Sequence, residues 1–343
     1  QSFLPDARNR VRDGGVNILT CGTVSKKMVT FLDRFRSVPL GTVFRDNTPV
    51  RIDAGSMAWV DLPPADFLEY ARQAPVLSFD RLPASPEEYV DGTSFLQAQA
   101  HRIWLTVRKT SELMPAGRDA VMLNLGGYPF VIERVLRDYL AVESRILSTY
   151  NQPLTPEIQE TLVAYRIEAL AVNLDPYVAV GDAPAGIADR LPLRDHSVDF
   201  VLMAHVIEHL YHPLTILKEA ARVLRPGGMM LLTTDNAFML GTLLQFLGER
   251  KFVHEPVDGT AAMVFHSWRG HVRYYSGEDL RTLMRAAGFD ILGTDYYEIH
   301  YNSFPEEYFL KPNVVVPQWR ANLLKEFADL RNEVFVCGVA RQL

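Results

Sequence analysis

A chain of 343 residues, 48% hydrophobic and 22% charged, has the composition of one large folded domain or two modest ones and excludes a disordered chain. A formal net charge of −6 argues against nucleic acid as the main partner. Two cysteines, Cys21 and Cys337, exclude a disulfide framework and fit a reduced, cytoplasmic setting, and no apolar run approaches the ~18 residues of a membrane span, so no membrane partner is expected.

The opening "QSFLPDARNRVRDGG" has no apolar signal core. Residues 1–60 carry nine Lys/Arg against five Asp/Glu, about +4, which leaves about −10 for the rest. That excess reads as a solvated or oligomer-facing surface, so a homo-oligomer is a possible assembly. "VNILTC" (16–21) has the pattern of a strand and "SKKMVTFLDRF" (25–35) that of a helix. Their join lacks the glycines and the GK[ST] ending of a phosphate loop. "LPPADFLEYARQ" (62–73) predicts a short helix entered through prolines. The Pro- and turn-rich stretch 74–92 reads as a boundary or covering loop. We therefore expect an accessory region over 1–92, a lid or oligomer contact, and a main domain over 93–343.

From residue 94 the pattern is regular. A helix is predicted over 94–114, a buried strand over 120–125, a helix over 130–147, a strand over 168–174 and another over 177–182. There follow a strand over 198–204, a helix over 213–225, a strand over 228–235, a helix over 277–288, and strands over 289–299 and 333–342. Continuous apolar strands alternating with helices predict an α/β fold, a doubly wound and mostly parallel sheet covered on both faces. Ligands of such sheets lie beyond the carboxyl ends of the strands. Five clusters fall there: Asn124, Leu125, Gly126, Gly127 and Tyr128; Asp175 in "NLDP"; Asp182 and Ala183 in "VGDA"; "HVIEHL" from His205; and "TTDNAF". Two adjacent glycines let a ligand approach the backbone closely. An acid about 50 residues on is placed for a ribose diol.

The block "GDAPAGIADRLPLRDHSVDFVLMAHVIEHLYHPLTILKEAARVLRPGG" resembles the central block of class I S-adenosylmethionine-dependent methyltransferases, and "GHVRYYSGEDLRTLMRAAGF" (270–289) is similar to a later segment of that family. The likeness covers residues 95–343 and implies a Rossmann-like fold with S-adenosylmethionine as cofactor and no metal. By position it implies that Asn124, Leu125, Gly126 and Gly127 approach the methionine part and ribose. Asp175 would take the ribose hydroxyls, with Asn173 the alternative register. Asp182 and Ala183 would lie at the adenine edge, and His205 would wall the methionine and departing methyl. Two departures stand out. The first motif begins with Asn124 where the family has an acid, and Tyr128 and Pro129 occur where it has a further glycine. Either those two residues stiffen a working loop, or the domain is a degenerate cofactor-binding scaffold.

The expected reaction is methyl transfer to an oxygen or nitrogen of a small-molecule acceptor such as a sugar or another metabolite. A base helps when the acceptor is a hydroxyl, and the candidates are His205, His209 and His271. Phe252, Phe265, Trp268, Tyr274, Tyr275, Tyr296, Tyr297 and Tyr301 surround the expected mouth, with about half of them expected to be core. "HVIEH" also matches the H-x-x-E-H signature of zinc hydrolases, which needs His205 and His209 one turn apart on a helix.

Overall fold

The computed structural model describes residues 48–53, 60–80, 94–151, 154–175, 190–249, 271–299 and 313–341. The expected elements at 16–21, 25–35 and 177–182 lie outside these residues, as do Asp182, Ala183, Phe252, Phe265, Trp268 and Tyr301. In chain order the strands are β1 (Pro49–Asp53), β2 (Val121–Asn124), β3 (Arg145–Tyr150), β4 (Ile167–Ala171), β5 (Val198–Ala204), β6 (Leu224–Asp235), β7 (Phe289–Tyr297), β8 (Asn313–Pro317) and β9 (Glu333–Ala340). The helices are α1 (Ala65–Gln73), α2 (Phe95–Ala98), α3 (Ala100–Leu113), α4 (Val131–Asp138), α5 (Pro156–Ala164), α6 (Pro213–Val223), α7 (Leu240–Glu249), α8 (Gly277–Ala286) and α9 (Gln318–Glu326).

Seven strands form one sheet in the order β4-β3-β2-β5-β6-β9-β7. The first five of these are parallel, and β9 runs antiparallel to both β6 and β7. Chain order reverses between β2 and β5, which is the switch point where open α/β sheets bind ligands. Side chains alternate across the sheet. Leu123, Val201, Met203, Leu232 and Val336 enter one core with Leu217 and Val223 of α6 and Leu280 and Met284 of α8. Met122, Phe200, Leu202, Leu231 and Phe335 enter the other with Phe67, Ile103, Val107 and Val135 of α1, α3 and α4. Along β5 the parity changes at Val198, where the register with β6 shifts. The doubly wound fold read from the sequence is therefore the fold observed.

Three expected elements differ. The helix expected over 130–147 ends at Asp138, and residues from Arg145 form β3, parallel to β2. Arg137 secures the reversal by donating to the carbonyls of Tyr165 and Arg166 at 3.0 Å each. The strand expected second in the sheet is thus third, the edge strand β4. The helix expected over 94–114 breaks at Gln99 (φ −115°, ψ 22°), between a Ser94 capping box and α3. Finally, β6 starts at Leu224 and incorporates the "RPGG" turn.

Two described segments flank this sheet. β1 and β8 pair antiparallel as a separate two-stranded ribbon. α1 lies in the second core, its Phe67 ring 5.3 Å from Trp104 and 5.1 Å from Tyr139.

Candidate functional site at the switch point

The β2 turn is built around Gly126 and Gly127. Gly126 has φ +78°, a conformation that favours glycine, and a Cβ there would sit 2.7 Å from Val206 Cγ2. That contact presses the turn against the residue following His205. A Cβ at Gly127 would overlap Ser148 Oγ and Glu133 Oε1. Beneath it Glu133, fully buried, accepts from Asn124 Nδ2 at 2.7 Å and Ser148 Oγ at 2.6 Å. Burial pushes the Glu133 carboxyl up, against the lowering effect of those two bonds. Asn124 therefore faces inward and stiffens the turn.

Three backbone donors of the turn are already engaged within the protein. Leu125 N–H donates to Leu202 O (2.9 Å), Gly126 N–H to Thr149 Oγ1 (2.7 Å) and Gly127 N–H to Thr149 O (3.0 Å). A phosphate loop needs such groups free. A tight turn with these three donors engaged fits a cofactor that lacks phosphate, as S-adenosylmethionine does. Beside it, the Tyr128 ring packs 6.4 Å from Phe79 and 6.0 Å from Phe130.

Asp175 is not where the sequence reading put it. It follows the edge strand β4, is buried, and accepts from Tyr211 N–H at 2.7 Å, with His212 Nδ1 at 3.2 Å. Asn173 Oδ1 accepts from its backbone N–H at 3.1 Å. Its carboxylate thus fastens the β4 end to the start of α6. The strand beside β2 ends instead in Ser148, Thr149, Tyr150 and the exposed Asn151, with no acid.

The three candidate histidines converge. His205 follows β5 with both ring nitrogens against carboxylates: Nε2 at 2.9 Å from Glu333 and Nδ1 at 3.3 Å from Glu208. Burial and Arg102 push its imidazole down, but Glu333 and Glu208 outweigh them and hold it up at about 9. Burial would raise Glu208, yet His205, His209 and His271 hold it down at about 2. His209 stacks edge-on to His271 with ring centroids 4.8 Å apart. His271 Nδ1 is 2.8 Å from Tyr274 Oη and 3.9 Å from Asp235 Oδ2. What brings His271 here is backbone: Val272 and Arg273 N–H both donate to Glu208 O, at 2.8 and 3.3 Å.

"HVIEH" forms a strand end followed by the single 3-10 turn Ile207–His209, not a helix. His205 and His209 belong to two different groups of convergent side chains, His205–Asp235–Glu333 and Glu208–His209–His271, so the hydrolase arrangement is not formed. Sequence reasoning placed Asp235 at this edge within "TTDNAF" but missed Glu133, Tyr274 as a histidine partner, and Glu333. Glu333 starts β9, opposite Asp235, because antiparallel pairing returns that end to this edge. Of the expected mouth aromatics, Tyr275 and Tyr297 are buried in the two cores, and Tyr296 packs against the first.

Among the described residues no helix is long and apolar enough to cross a membrane. A family model described as a methyltransferase domain matches residues 72–293. A probable S-adenosylmethionine-dependent methyltransferase of Mycolicibacterium smegmatis is 33% identical over 113 residues, 33% of this chain and 37% of that protein. The chain thus spans little more than a third of that relative. A malonyl-[acyl-carrier protein] O-methyltransferase of Marinomonas sp. is 24% identical over 295 residues, 79% of this chain and 92% of that one. Among solved structures, the putative methyltransferase in complex with the Haloferax volcanii Trm112 activator is 17% identical with a TM-score of 0.45, covering 82% of this chain and 100% of that chain. The domain match runs over well more than half of the chain and takes in both the glycine turn and the histidine cluster, and the chain belongs to the class I S-adenosylmethionine-dependent methyltransferase family.

Proposed function

We propose that the protein transfers a methyl group from S-adenosylmethionine to a hydroxyl of a small organic acceptor. The observation that carries this is the contact of Gly126 with Val206, which sets the cofactor turn against the segment bearing His205, Glu208 and His209. When bound, the cofactor supplies a methyl group made electrophilic by its sulfonium. The chain must then align the acceptor and relieve it of a proton.

Leu125, Gly126 and Gly127 line the methionine and ribose approach. We assign the ribose role to the side-chain amide of Asn151, at the end of the strand beside β2, in place of Asp175, whose carboxylate is held by Tyr211 N–H and His212. Asp182 and Ala183 keep the adenine edge as their proposed place. His205 has both nitrogens engaged by carboxylates and walls the site without accepting the acceptor's proton. The facing pair His209 and His271 is where the hydroxyl loses it. A nitrogen acceptor arriving neutral needs little such help, so this cluster favours oxygen. The Marinomonas relative is named as an O-methyltransferase, which supports the same choice.

The test is calorimetry of S-adenosylhomocysteine binding, followed by transfer of isotopically labelled methyl to a panel of hydroxylated metabolites. Binding with label appearing on oxygen is expected. Absence of any cofactor binding would return the chain to the scaffold reading, and label on nitrogen would overturn the choice of acceptor atom.

A further inference from the structure

Glu208 poses a physical problem. Its side chain is 1% exposed, and neither carboxylate oxygen has a hydrogen-bond partner among the described residues. The 3.3 Å approach of His205 Nδ1 lies outside hydrogen-bond geometry, and His209 Nε2 is 4.0 Å away. His205 gives Glu208 an ion-pair partner but no hydrogen bond, so lone pairs on both carboxylate oxygens stay unfilled among the described residues, which is costly in a buried group. Around it, one donor atom each from Glu208, His209 and His271 lies within 4.8 Å of the others.

We propose that Glu208, His209 and His271 bind a divalent transition-metal ion of the zinc class beside the methyl-transfer site. Two imidazoles and one carboxylate form a mixed N/O set that suits such ions better than magnesium or calcium. Bonds of about 2.0–2.1 Å in a tetrahedral set hold donors roughly 3.4 Å apart, so small side-chain adjustments close the site. Three protein ligands leave a position open, the mark of a catalytic rather than a structural site. The surrounding contacts fit as well. Tyr274 Oη lies 2.8 Å from His271 Nδ1, and such outer partners orient metal-bound histidines. The neighbouring group His205–Asp235–Glu333 is not the choice, because His205 already pairs with Glu333 at 2.9 Å.

The ion's binding stands alone, while its role rests on the methyl-transfer reading. With the ion bound, His209 and His271 act through it rather than as bases themselves, and an acceptor hydroxyl reaching the open position gives its proton to solvent. Its oxygen then bonds to the methyl carbon as the carbon–sulfur bond breaks, and that bond's electron pair stays on sulfur, leaving a neutral thioether. The favoured acceptor therefore carries an acidic, metal-seeking hydroxyl, such as a phenol or enol.

The experiment strips the full chain with a chelator and titrates it with Zn2+ and Co2+, reading retained metal by elemental analysis and Co2+ coordination by visible absorption. S-adenosylhomocysteine calorimetry runs on every sample as the control for folding. We expect stoichiometric retention in the parent protein and its loss in His209→Gln and His271→Gln, with cofactor binding kept. Tyr274→Phe, which touches only the outer contact, weakens metal binding roughly 10–100-fold. Parent protein that binds the cofactor but retains no metal overturns the site, as does unchanged retention in both histidine variants. Metal retained without cofactor binding leaves the site standing and removes the methyl-transfer reading instead.

Discussion

Asn124 shows how one residue can look like a defect and serve as a support. The family places an acid at this position, and its absence is what raises the question of a decayed site. In the structure the amide donates to buried Glu133, which also accepts from Ser148. An aspartate at 124 would lose that donor and face a second carboxyl across the same short gap. Asn124→Asp should therefore cost about 1–3 kcal/mol, the price of an unsatisfied buried polar group, in a denaturant titration. Glu133→Gln on the same background restores an N–H donor and should recover most of the loss, whereas additive losses in the double variant would refute the network. Gly126 and Gly127 were legible as a close-approach turn because two adjacent glycines after a buried strand have few other uses. The identity of the approaching groups, Val206 on one side and the Glu133 network on the other, was not legible, since both come from distant segments.

At the scale of elements, β5, α6 and β6 could be read directly. Phe200–Ala204 is continuously apolar, Pro213 opens the helix, and Gly227 (φ +79°) marks the turn inside the following strand. The misread element was β3. "RILSTY" has too few apolar positions to tell a strand from the end of a helix, and only pairing with β2 decides it. That reading put the ribose assignment at Asp175, one strand beyond the Asn151 proposed above. It is checked at Asn151: Asn151→Ala should weaken S-adenosylhomocysteine binding roughly tenfold, equivalent to about 1.4 kcal/mol. No change in affinity would put the ribose contact elsewhere. A second prediction at this scale concerns α3. His101 is buried and its Nε2 lies 2.7 Å from Val60 O. Burial outweighs the bonds to the Val60 and Asp61 carbonyls and pushes its imidazole down to about 4. The unfolded chain protonates near 6.5 while the folded one does not, so stability falls as pH drops from 6.5 to 4, by about 3 kcal/mol. His101→Gln removes this slope, so the gap between the two proteins' unfolding free energies should change across that window and stay flat above it.

For the whole molecule, the site depends on three distant parts of the chain meeting at one sheet edge. The carboxyl ends of β2, β5 and β6 could be placed there by rule. Glu333 could not, because β9 runs the other way and offers its first residue to that edge. His271 arrives through backbone bonds to Glu208, which no side-chain motif encodes. The same logic bears on where the domain begins. The Pro- and turn-rich stretch 74–92 predicts an accessory region over 1–92, a lid or oligomer contact, ending there. Yet Phe67, Leu68 and Ala71 of α1 are buried in the second core, and Oη of Tyr139, the residue after α4, donates to Asp66 at 2.7 Å. Removing residues 1–59 deletes β1 and strips β8 of its partner, but keeps every described residue of that core. Removing residues 1–92 also uncovers the faces that Phe67 and Leu68 fill, each worth about 1.5–3 kcal/mol of burial. The shorter truncation should thus keep an unfolding midpoint near that of the full chain. The longer one should lose on the order of 3–6 kcal/mol, read by denaturant titration with cofactor binding followed in parallel. Equal stability in the two truncations would mean that α1 is dispensable to the core and that the boundary at residue 92 is a real one.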